Sequence, residues 1–283
     1  MKVLVIGATG YIGSAAARKL RERGHEVVAL AREAAAGSAY EVRIGDLTKP
    51  ATVAAAIGDD IEAVVNLATL SGDQAVDQAA TAALVDALAG RVLVQTSGIW
   101  VLGRTGREAV DESAPTDALP IVSYRPLIEQ QVLAAAERGV RSVVIRPGIV
   151  YGNGGGIPAM LLDLARKHGV GRYFGGVETR WPMVHVDDLA ELYALAVESA
   201  PAGTLLHGVD EPAVSLVAMA AATDLAAGGT GRAEPWLNPE ATAAFGDPFA
   251  EALALDQAVS GQRARDLLGW QPADRNAVRD LHR

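Results

Sequence analysis

The sequence predicts an α/β fold, in which a doubly wound parallel sheet is followed by a small C-terminal lobe. Short apolar segments that are typical of buried strands alternate with segments that are typical of helices through the first half of the chain. This alternation favours right-handed crossovers and a parallel sheet of about seven strands. Three glycines also follow the first apolar segment directly and open the first helical segment.

The glycine-rich turn is the strongest local signal in the chain. Residues 2–6 predict a strand that is buried on both faces, and residues 14–23 predict a helix that ends before Gly24. The amide groups of such a turn and the dipole of the following helix attract a pyrophosphate, and glycine lets the backbone approach it closely. A tight turn without a ligand is the alternative. We predict a dinucleotide site whose first contacts come from Gly7, Thr9, Gly10, Tyr11, Ile12 and Gly13.

The end of the second strand indicates which dinucleotide is bound. Residues 26–30 predict this strand, and Ala31 and Arg32 follow it. An acidic residue here would bond the ribose 2′-hydroxyl of NAD, whereas an arginine suits the 2′-phosphate of NADP. The sequence therefore favours NADP(H) as the cofactor and NAD(H) less. A solvated surface arginine is the alternative interpretation of Arg32.

Asp46 follows the third strand, which is predicted over residues 42–44. We expect its carboxylate to reach the adenine amino group, to cap the helix over residues 49–57, or both. The alternation then continues along the chain. Further strands are predicted over residues 63–67, 91–95, 142–146 and 204–208, and further helices over residues 73–89, 121–138, 158–168 and 189–198.

The pattern loosens after residue 151, which suggests a division of the chain. We predict a Rossmann domain for NADP over residues 1–151 and a mixed region over residues 152–283. Within the mixed region, segments near 152–182 and 209–272 are expected to form a substrate lobe, and residues 183–208 to return to the first domain. The glycine-rich stretch 227–235 predicts a linker.

The composition excludes several classes of function. A formal net charge of −9 and the lack of a Lys/Arg cluster argue against a nucleic-acid partner. The sequence has no cysteine, so thiolate chemistry is excluded, and no His spacing suggests a metal site. No run of about 18 apolar residues predicts a membrane helix, and no secretory signal is recognisable. We therefore expect a cytoplasmic protein, and its alanine richness suggests a bacterial source.

Several motifs resemble the extended or atypical short-chain dehydrogenase/reductase family, the NAD(P)-dependent epimerase/dehydratase group. The sequence of residues 7–13 is similar to the family's glycine motif, and residues 45–47, 66–68, 146–152, 184–188 and 268–272 follow its later landmarks in order. The resemblance covers nearly the whole chain. It implies further cofactor contacts from Leu47, Leu67, Ala68, Thr69, Thr96, Pro147, Gly148, Ile149 and Val150, besides Asp46.

The catalytic landmarks of that family are altered in this chain. The family uses a Tyr-x-x-x-Lys pair, and the preferred register places Arg125 at the lysine and Ile121 at the tyrosine, with Glu129 matching a glutamate. Gly98 stands at the active serine, next to Ser97. Arginine titrates too high to act as the lysine does, but the resemblance implies that it bonds the nicotinamide ribose. We expect displaced catalytic residues at Tyr124, Arg125 and Ser97; proton transfer without a protein acid, or binding without turnover, are the alternatives.

Four residues near the predicted strand ends suggest an aromatic-walled pocket for a small-molecule substrate: Trp100, Tyr151, Trp181 and His185. Core packing is the alternative for the aromatic residues, and a structural histidine beside a helix cap is the alternative for His185. The function expected is an NADP-dependent oxidoreductase that acts on a carbonyl, enone or imine. A sugar-nucleotide epimerase or dehydratase and a non-catalytic NADP-sensing regulator are the alternatives, and the resemblance implies a homodimer.

Overall fold

The computed structural model describes residues 1–33, 39–273 and 275–281. Strands and helices alternate through most of the chain. The strands are β1 (Lys2–Ile6), β2 (Glu26–Ala31), β3 (Glu41–Ile44), β4 (Ala63–Asn66), β5 (Val92–Thr96), β6 (Arg141–Pro147), β7 (Ile149–Tyr151), β8 (Gly171–Tyr173), β9 (Arg180–His185), β10 (Thr204–Gly208), β11 (Glu211–Ser215) and β12 (Ala233–Pro235).

The helices cover both faces of the main sheet and build the second half of the chain. They are α1 (Tyr11–Glu22), α2 (Pro50–Ala56), α3 (Gln74–Ala87), α4 (Arg125–Ala134), α5 (Gly156–His168), α6 (Val186–Ser199), α7 (Leu216–Ala226), α8 (Asn238–Phe245), α9 (Asp247–Leu253), α10 (Gln262–Leu268) and α11 (Ala277–Asp280). Three 3₁₀ turns span Ile99–Leu102, Pro120–Val122 and Ala135–Arg138.

The central sheet has seven strands in the order β3-β2-β1-β4-β5-β6-β10, and every pairing in it is parallel. The middle strands are apolar without interruption because both faces are covered. Leu20 of α1 and Leu192 of α6 belong to the core on one face, whereas Leu84 of α3 and Val132 of α4 belong to the core on the other. This doubly wound α/β fold confirms the prediction, including the late strand over residues 204–208.

The helix predicted over residues 121–138 is wrong in extent. The structure divides it into the 3₁₀ turn Pro120–Val122, helix α4 and the 3₁₀ turn Ala135–Arg138. Proline lacks an N–H group and is tolerated only in the first turn of a helix, so Pro126 fixes the start of α4 at Arg125. Helix α1 also begins three residues earlier than predicted, because the glycine turn continues directly into it.

A second core lies in the C-terminal half. A three-stranded sheet of order β11-β9-β7 and a two-stranded sheet of β12 and β8 pack with nearby helices around large buried side chains, among them Phe174, Met219 and Leu253. The predicted boundary at residue 151 falls at the end of β7, although β7 already belongs to the three-stranded sheet. The division into two domains stays a prediction.

The stretch over residues 227–235 is a surface loop that is hydrogen-bonded to the fold, and not the predicted linker. The Asp224 carboxylate, which is 1% exposed, accepts hydrogen bonds from the Gly231 and Arg232 amides at 2.8 and 2.9 Å. The stretch then ends in β12, which pairs with β8. A single buried acid thus orders a glycine-rich sequence that has no apolar pattern of its own.

In the part of the chain that the structure describes, none of the helices is long and apolar enough to cross a bilayer.

Candidate functional site

The glycine turn after β1 is shaped by backbone contacts that leave no room for side chains. A Cβ atom at Gly13 would lie 1.9 Å from the Gly7 carbonyl oxygen, and Gly7 itself has a φ of +84°. The Gly10 amide donates to the Gly7 carbonyl at 3.0 Å, and Gly10 is the N-cap of α1. No side chain of the described residues caps this helix, so its first amides stay open toward a ligand. These features fit a bound pyrophosphate.

A groove of about 950 Å³ continues from this turn along the ends of β1, β2 and β3. Its size suits the adenosine half of a dinucleotide. Other cavities of similar polarity occur elsewhere in the molecule, but this one lies at the carboxyl edge of the parallel sheet, where such folds bind ligands. Seven predicted cofactor residues line it: Gly7, Thr9, Arg32, Asp46, Leu47, Ala68 and Thr69.

Arg32 and Asp46 face this groove in different ways. Arg32 is exposed at its rim, where a 2′-phosphate would lie. One oxygen of Asp46 accepts hydrogen bonds from the Thr48 amide at 2.9 Å and from the Thr48 hydroxyl at 2.8 Å. These bonds hold the pKa of the Asp46 carboxyl below its ordinary value. The N-cap of α2 is Lys49, so the expectation that Asp46 caps this helix is wrong.

Tyr11 contacts a loop of the second core through its side chain. Its hydroxyl donates to the Gly152 carbonyl at 2.6 Å, and a Cβ at Gly155 would lie 2.3 Å from its ring. Any contact between Tyr11 and a cofactor therefore involves its amide. Ile12, the next residue, packs against the core beneath the sheet. The sequence did not indicate this tyrosine–glycine contact, because it joins residues 141 positions apart.

The remaining cofactor predictions fall at neighbouring strand ends of the main sheet or directly after them. The register places Asn66 of β4 beside Gln95 of β5, and Thr96 beside Ile145 of β6. Leu67, Thr96 and Pro147 thus share one edge of the main sheet, and Gly148 leads from this edge into β7, which contains Ile149 and Val150. The Thr96 hydroxyl is already hydrogen-bonded to the Tyr193 hydroxyl at 2.7 Å.

Two polar side chains that were not among the predicted site residues shape this edge. The Asn66 side chain donates to the Gln95 side chain at 3.0 Å, and the Asn66 side-chain oxygen accepts from the Ala68 amide at 3.2 Å. Both side chains are buried in otherwise apolar strands. A polar residue at such a position is a signal of a buried network, and here the network holds the backbone where a nicotinamide would pass.

Tyr124, which was expected as a displaced catalytic tyrosine, is bound to another side chain. Its hydroxyl donates to the Asp77 carboxylate at 2.6 Å, and the same carboxylate accepts from the Ser71 amide. Burial and the bond to Asp77 raise the pKa of Tyr124 to about 12. Asp77 lines the cofactor groove, so Tyr124 lies close to it, but its proton is oriented toward the carboxylate. In this arrangement Tyr124 is a weak proton donor.

Arg125, Ser97 and Gly98 come together at the end of β5. Arg125 is the first residue of α4, and a Cβ at Gly98 would lie 3.2 Å from its Nη1 atom. The buried atoms Arg125 Nε and Ser97 Oγ have no hydrogen-bond partner among the described residues. Burial also lowers the pKa of the Arg125 guanidinium from its ordinary value. The fold thus places a cation and a hydroxyl at the expected reaction site.

Glu129 lies one turn after Arg125 and is not free to pair with it. Its carboxylate forms a forked salt bridge with Arg146, with nitrogen–oxygen distances of 2.9 and 2.6 Å, and both side chains are buried. The Nε2 atom of His207, also fully buried, lies 3.5 Å from Arg146. Glu129 therefore acts as the counter-ion of Arg146, beneath the site.

Three of the four predicted substrate residues lie in the second core. Trp181 is 1% exposed, and its indole N–H donates to the Leu253 carbonyl at 3.1 Å. Tyr151 is equally buried and packs edge-on against His185. The alternation of side chains along β7 and β9 turns all three inward, so the prediction that Trp181 and His185 wall a pocket is corrected to core packing. Tyr151 is also buried, but it lines a cavity of about 270 Å³ beside the loop over residues 152–155.

The ring of His185 has a structural role. Its Nδ1 atom accepts from the Asp187 amide at 3.1 Å, which makes His185 itself the N-cap of α6. Arg275 lies against the ring, 2.9 Å from Nε2. Burial and the Arg275 charge lower the pKa of His185 below its ordinary value. A neutral histidine that caps the helix in this way holds α6 in place.

Trp100 is the one predicted substrate residue that remains partly exposed. It lies in the turn Ile99–Leu102 directly after Gly98, and its ring contacts Phe249 edge-on at 6.0 Å. The buried side chain of Gln257 donates to the Ile99 and Gly103 carbonyls at 2.9 and 2.7 Å. A late segment of the chain therefore fixes the turn that carries Trp100.

Comparisons with known proteins agree with this geometry. The sequence profile of the NAD dependent epimerase/dehydratase family matches residues 3–206. The chain is 32% identical to Uncharacterized protein C2A9.02 of Schizosaccharomyces pombe over 299 residues, with 99% of this chain and 98% of that protein covered. It is 33% identical to the 3-diazoavenalumate denitrifying reductase of a Streptomyces species over 300 residues, with 96% of each chain covered.

A crystal structure of the human epimerase family protein SDR39U1 with NADPH is also similar. Its TM-score is 0.76 at 25% sequence identity, with 100% of this chain and 98% of that chain covered. The relatives are fungal, bacterial and mammalian, so the bacterial source stays a prediction. The profile match, the two relatives above 30% identity and the sheet topology lead to one conclusion: the chain belongs to the NAD-dependent epimerase/dehydratase family.

Proposed function

We propose that the protein is an NADP-dependent oxidoreductase that reduces a small electrophile, namely a carbonyl, enone or imine compound. The observation that carries this proposal is the combination of an intact nucleotide groove with Arg125 and Ser97, which lie on either side of Gly98 after the end of β5. Two findings on similar proteins support it. The Streptomyces relative is named a reductase, and the human relative was crystallised with NADPH.

The residues of this chain would share the work as follows. The amides of the glycine turn bind the pyrophosphate, and Arg32 binds the 2′-phosphate. A bound nicotinamide supplies hydride. Arg125 stabilises negative charge on the substrate, because a cation acts most strongly where water is excluded. The proton comes from solvent, because Tyr124 is bonded to Asp77 and Ile121 has no exchangeable proton.

The alternatives are less well supported by the site. A sugar-nucleotide epimerase or dehydratase would need the tyrosine and lysine that Ile121 and Arg125 replace. A non-catalytic NADP sensor would share the same groove, and only turnover separates it from an enzyme. A cytoplasmic location and a homodimer belong to the same proposal.

The first test is a titration of the protein with NADPH and with NADH. We expect Arg32→Ala to weaken NADPH binding by about tenfold or more, the usual effect of losing a charge-assisted bond, and to leave NADH binding unchanged. Arg166→Ala is the matched control, because Arg166 is exposed on α5, outside the groove. Failure of both dinucleotides to bind would refute the proposal.

The second test is consumption of NADPH in the presence of carbonyl, enone and imine compounds. Turnover of one class supports an oxidoreductase and identifies its electrophile. Tight NADPH binding without turnover of any of the three classes would instead favour the sensor.

A further inference from the structure

The end of β5 contains two buried polar atoms that the protein itself does not satisfy. Ser97 is 5% exposed, and its hydroxyl has no hydrogen-bond partner among the described residues, although its amide donates to the Ile145 carbonyl at 2.7 Å. The Nε atom of Arg125 is buried in the same way. Arg125 Nη1 lies 3.2 Å from where a Cβ of Gly98 would be, next in the chain to Ser97. Buried polar groups are nearly always bonded, so two orphans around one glycine indicate a missing ligand.

Arg125 also lacks a counter-ion within the described residues, which form no salt bridge or hydrogen bond with it. The carboxylates that act on its charge are Glu129 and Asp77, and both have other partners. Glu129 is bound in the forked pair with Arg146, and Asp77 accepts from Ser71 and Tyr124. A partly buried cation without a partner is costly, so its ligand is expected to be an anion.

The surroundings of this cation combine a glycine with aromatic side chains. Gly98 has no side chain, and Arg125 Nη1 lies where a larger residue would crowd it. The turn that follows carries the partly exposed Trp100, with Phe249 and then Phe245 in edge-on contact beyond it. A cation at one side and aromatic rings at the other suit a planar acid.

We propose that Arg125 and Ser97 bind the carboxylate of the substrate, and that this substrate is a small unsaturated acid. This inference rests on the proposed oxidoreductase function and names its substrate class. The planar guanidinium of Arg125 offers two parallel N–H groups to a carboxylate, and the Ser97 hydroxyl offers a third donor. Arg125 would then contact the substrate and not, as the family resemblance implies, the nicotinamide ribose.

The test compares cinnamate with cinnamamide, which has the same body without the charge. Binding of each is measured by calorimetry to the protein saturated with NADP⁺. We expect cinnamate to bind about tenfold or more tightly, and Arg125→Gln to abolish this preference while affinity for NADP⁺ stays unchanged. Arg166→Gln on α5 is the control and should keep the preference.

Ser97→Ala separates a ligand-binding role from a structural one. Removing an unsatisfied buried hydroxyl should leave the melting temperature of the ligand-free protein unchanged or higher, whereas cinnamate binding should weaken severalfold. Ser142→Ala provides a matched control, because the Ser142 hydroxyl already contacts the Leu133 carbonyl.

Two results would overturn the inference: equal or undetectable binding of acid and amide, or an Arg125→Gln variant that loses NADP⁺ affinity and keeps the preference for the acid. A different result, the absence of NADP⁺ binding, would contradict the proposed function. If NADP⁺ does not bind, the same titration on the ligand-free protein still tests the carboxylate site.

Discussion

Gly13 is the residue at which a single methyl group should have the largest effect on the nucleotide site. Its Cβ would meet the Gly7 carbonyl oxygen at 1.9 Å, a distance that requires the backbone to move. We expect Gly13→Ala to lower NADPH affinity at least about tenfold and to destabilise the fold by about 1–3 kcal/mol, as overpacking does. Titration and thermal unfolding check both. Gly106→Ala, where a Cβ meets nothing within 4 Å, should change neither.

Tyr124 offers a test of whether its hydroxyl takes part in proton transfer. Because its pKa is raised to about 12 and its proton is donated to Asp77, we expect Tyr124→Phe to retain most of kcat. The variant should lose about 1–3 kcal/mol of stability, since a bond to a charged group is removed. A loss of kcat by a factor of about 100 or more would identify Tyr124 as the proton donor after all.

These residues also show which parts of a site can be derived from sequence. The spacing of Gly7, Gly10 and Gly13 was sufficient to predict the tight turn after β1, because the contacts of these glycines lie within one turn of backbone. The partner of Tyr124 was not predictable, because Asp77 lies on a different helix and meets it only when α3 and α4 pack together. Likewise, the burial of Trp181 depends on the later segment that supplies Leu253.

At the scale of elements, the strands of the main sheet were predicted within about two residues, and the irregular segments were not. An apolar run that is buried on both faces needs no knowledge of its neighbours to be recognised. The loop over residues 227–232 has the composition of a linker, and its order depends on hydrogen bonds such as those to the buried carboxylate of Asp224. Long-range hydrogen bonds of this kind leave no periodic trace in a sequence.

Removing this carboxylate should loosen one loop more than the whole fold. We expect Asp224→Ala to cost about 1–3 kcal/mol, because two backbone amides lose their buried acceptor. Hydrogen exchange should become faster at the amides of Gly231 and Arg232, while the amides of β5 stay protected. Asp163→Ala is the control, since Asp163 is exposed on α5. Unchanged exchange in the loop would contradict this role.

At the scale of the whole molecule, His207 joins distant parts of the chain. It is fully buried on β10, its amide donates to Glu112 at 2.7 Å, and its ring lies between Ser260 and Arg146. Burial and the Arg146 charge lower the pKa of His207 to about 4. Protonating it would place a second cation beside Arg146, so the network requires a neutral ring.

This predicts a stability that depends on pH. Between the folded pKa of about 4 and the unfolded value of about 6.5, the unfolded chain binds more protons, so stability falls as pH falls. From pH 7 to pH 5 the loss should be on the order of 2 kcal/mol. Urea unfolding at both pH values measures it. His207→Gln should be less stable at pH 7 and lose most of this dependence, whereas His168→Gln, on α5, should retain it.

The bonds from Gln257 to the turn Ile99–Leu102 have a consequence for the order in which the protein becomes competent during synthesis. The nucleotide groove is built from residues 6–77, which leave the ribosome early. The turn that carries Trp100 cannot be fixed until a residue more than 150 positions later has emerged. A nascent chain should therefore contain every residue of its adenosine groove well before the turn that carries Trp100 can be fixed.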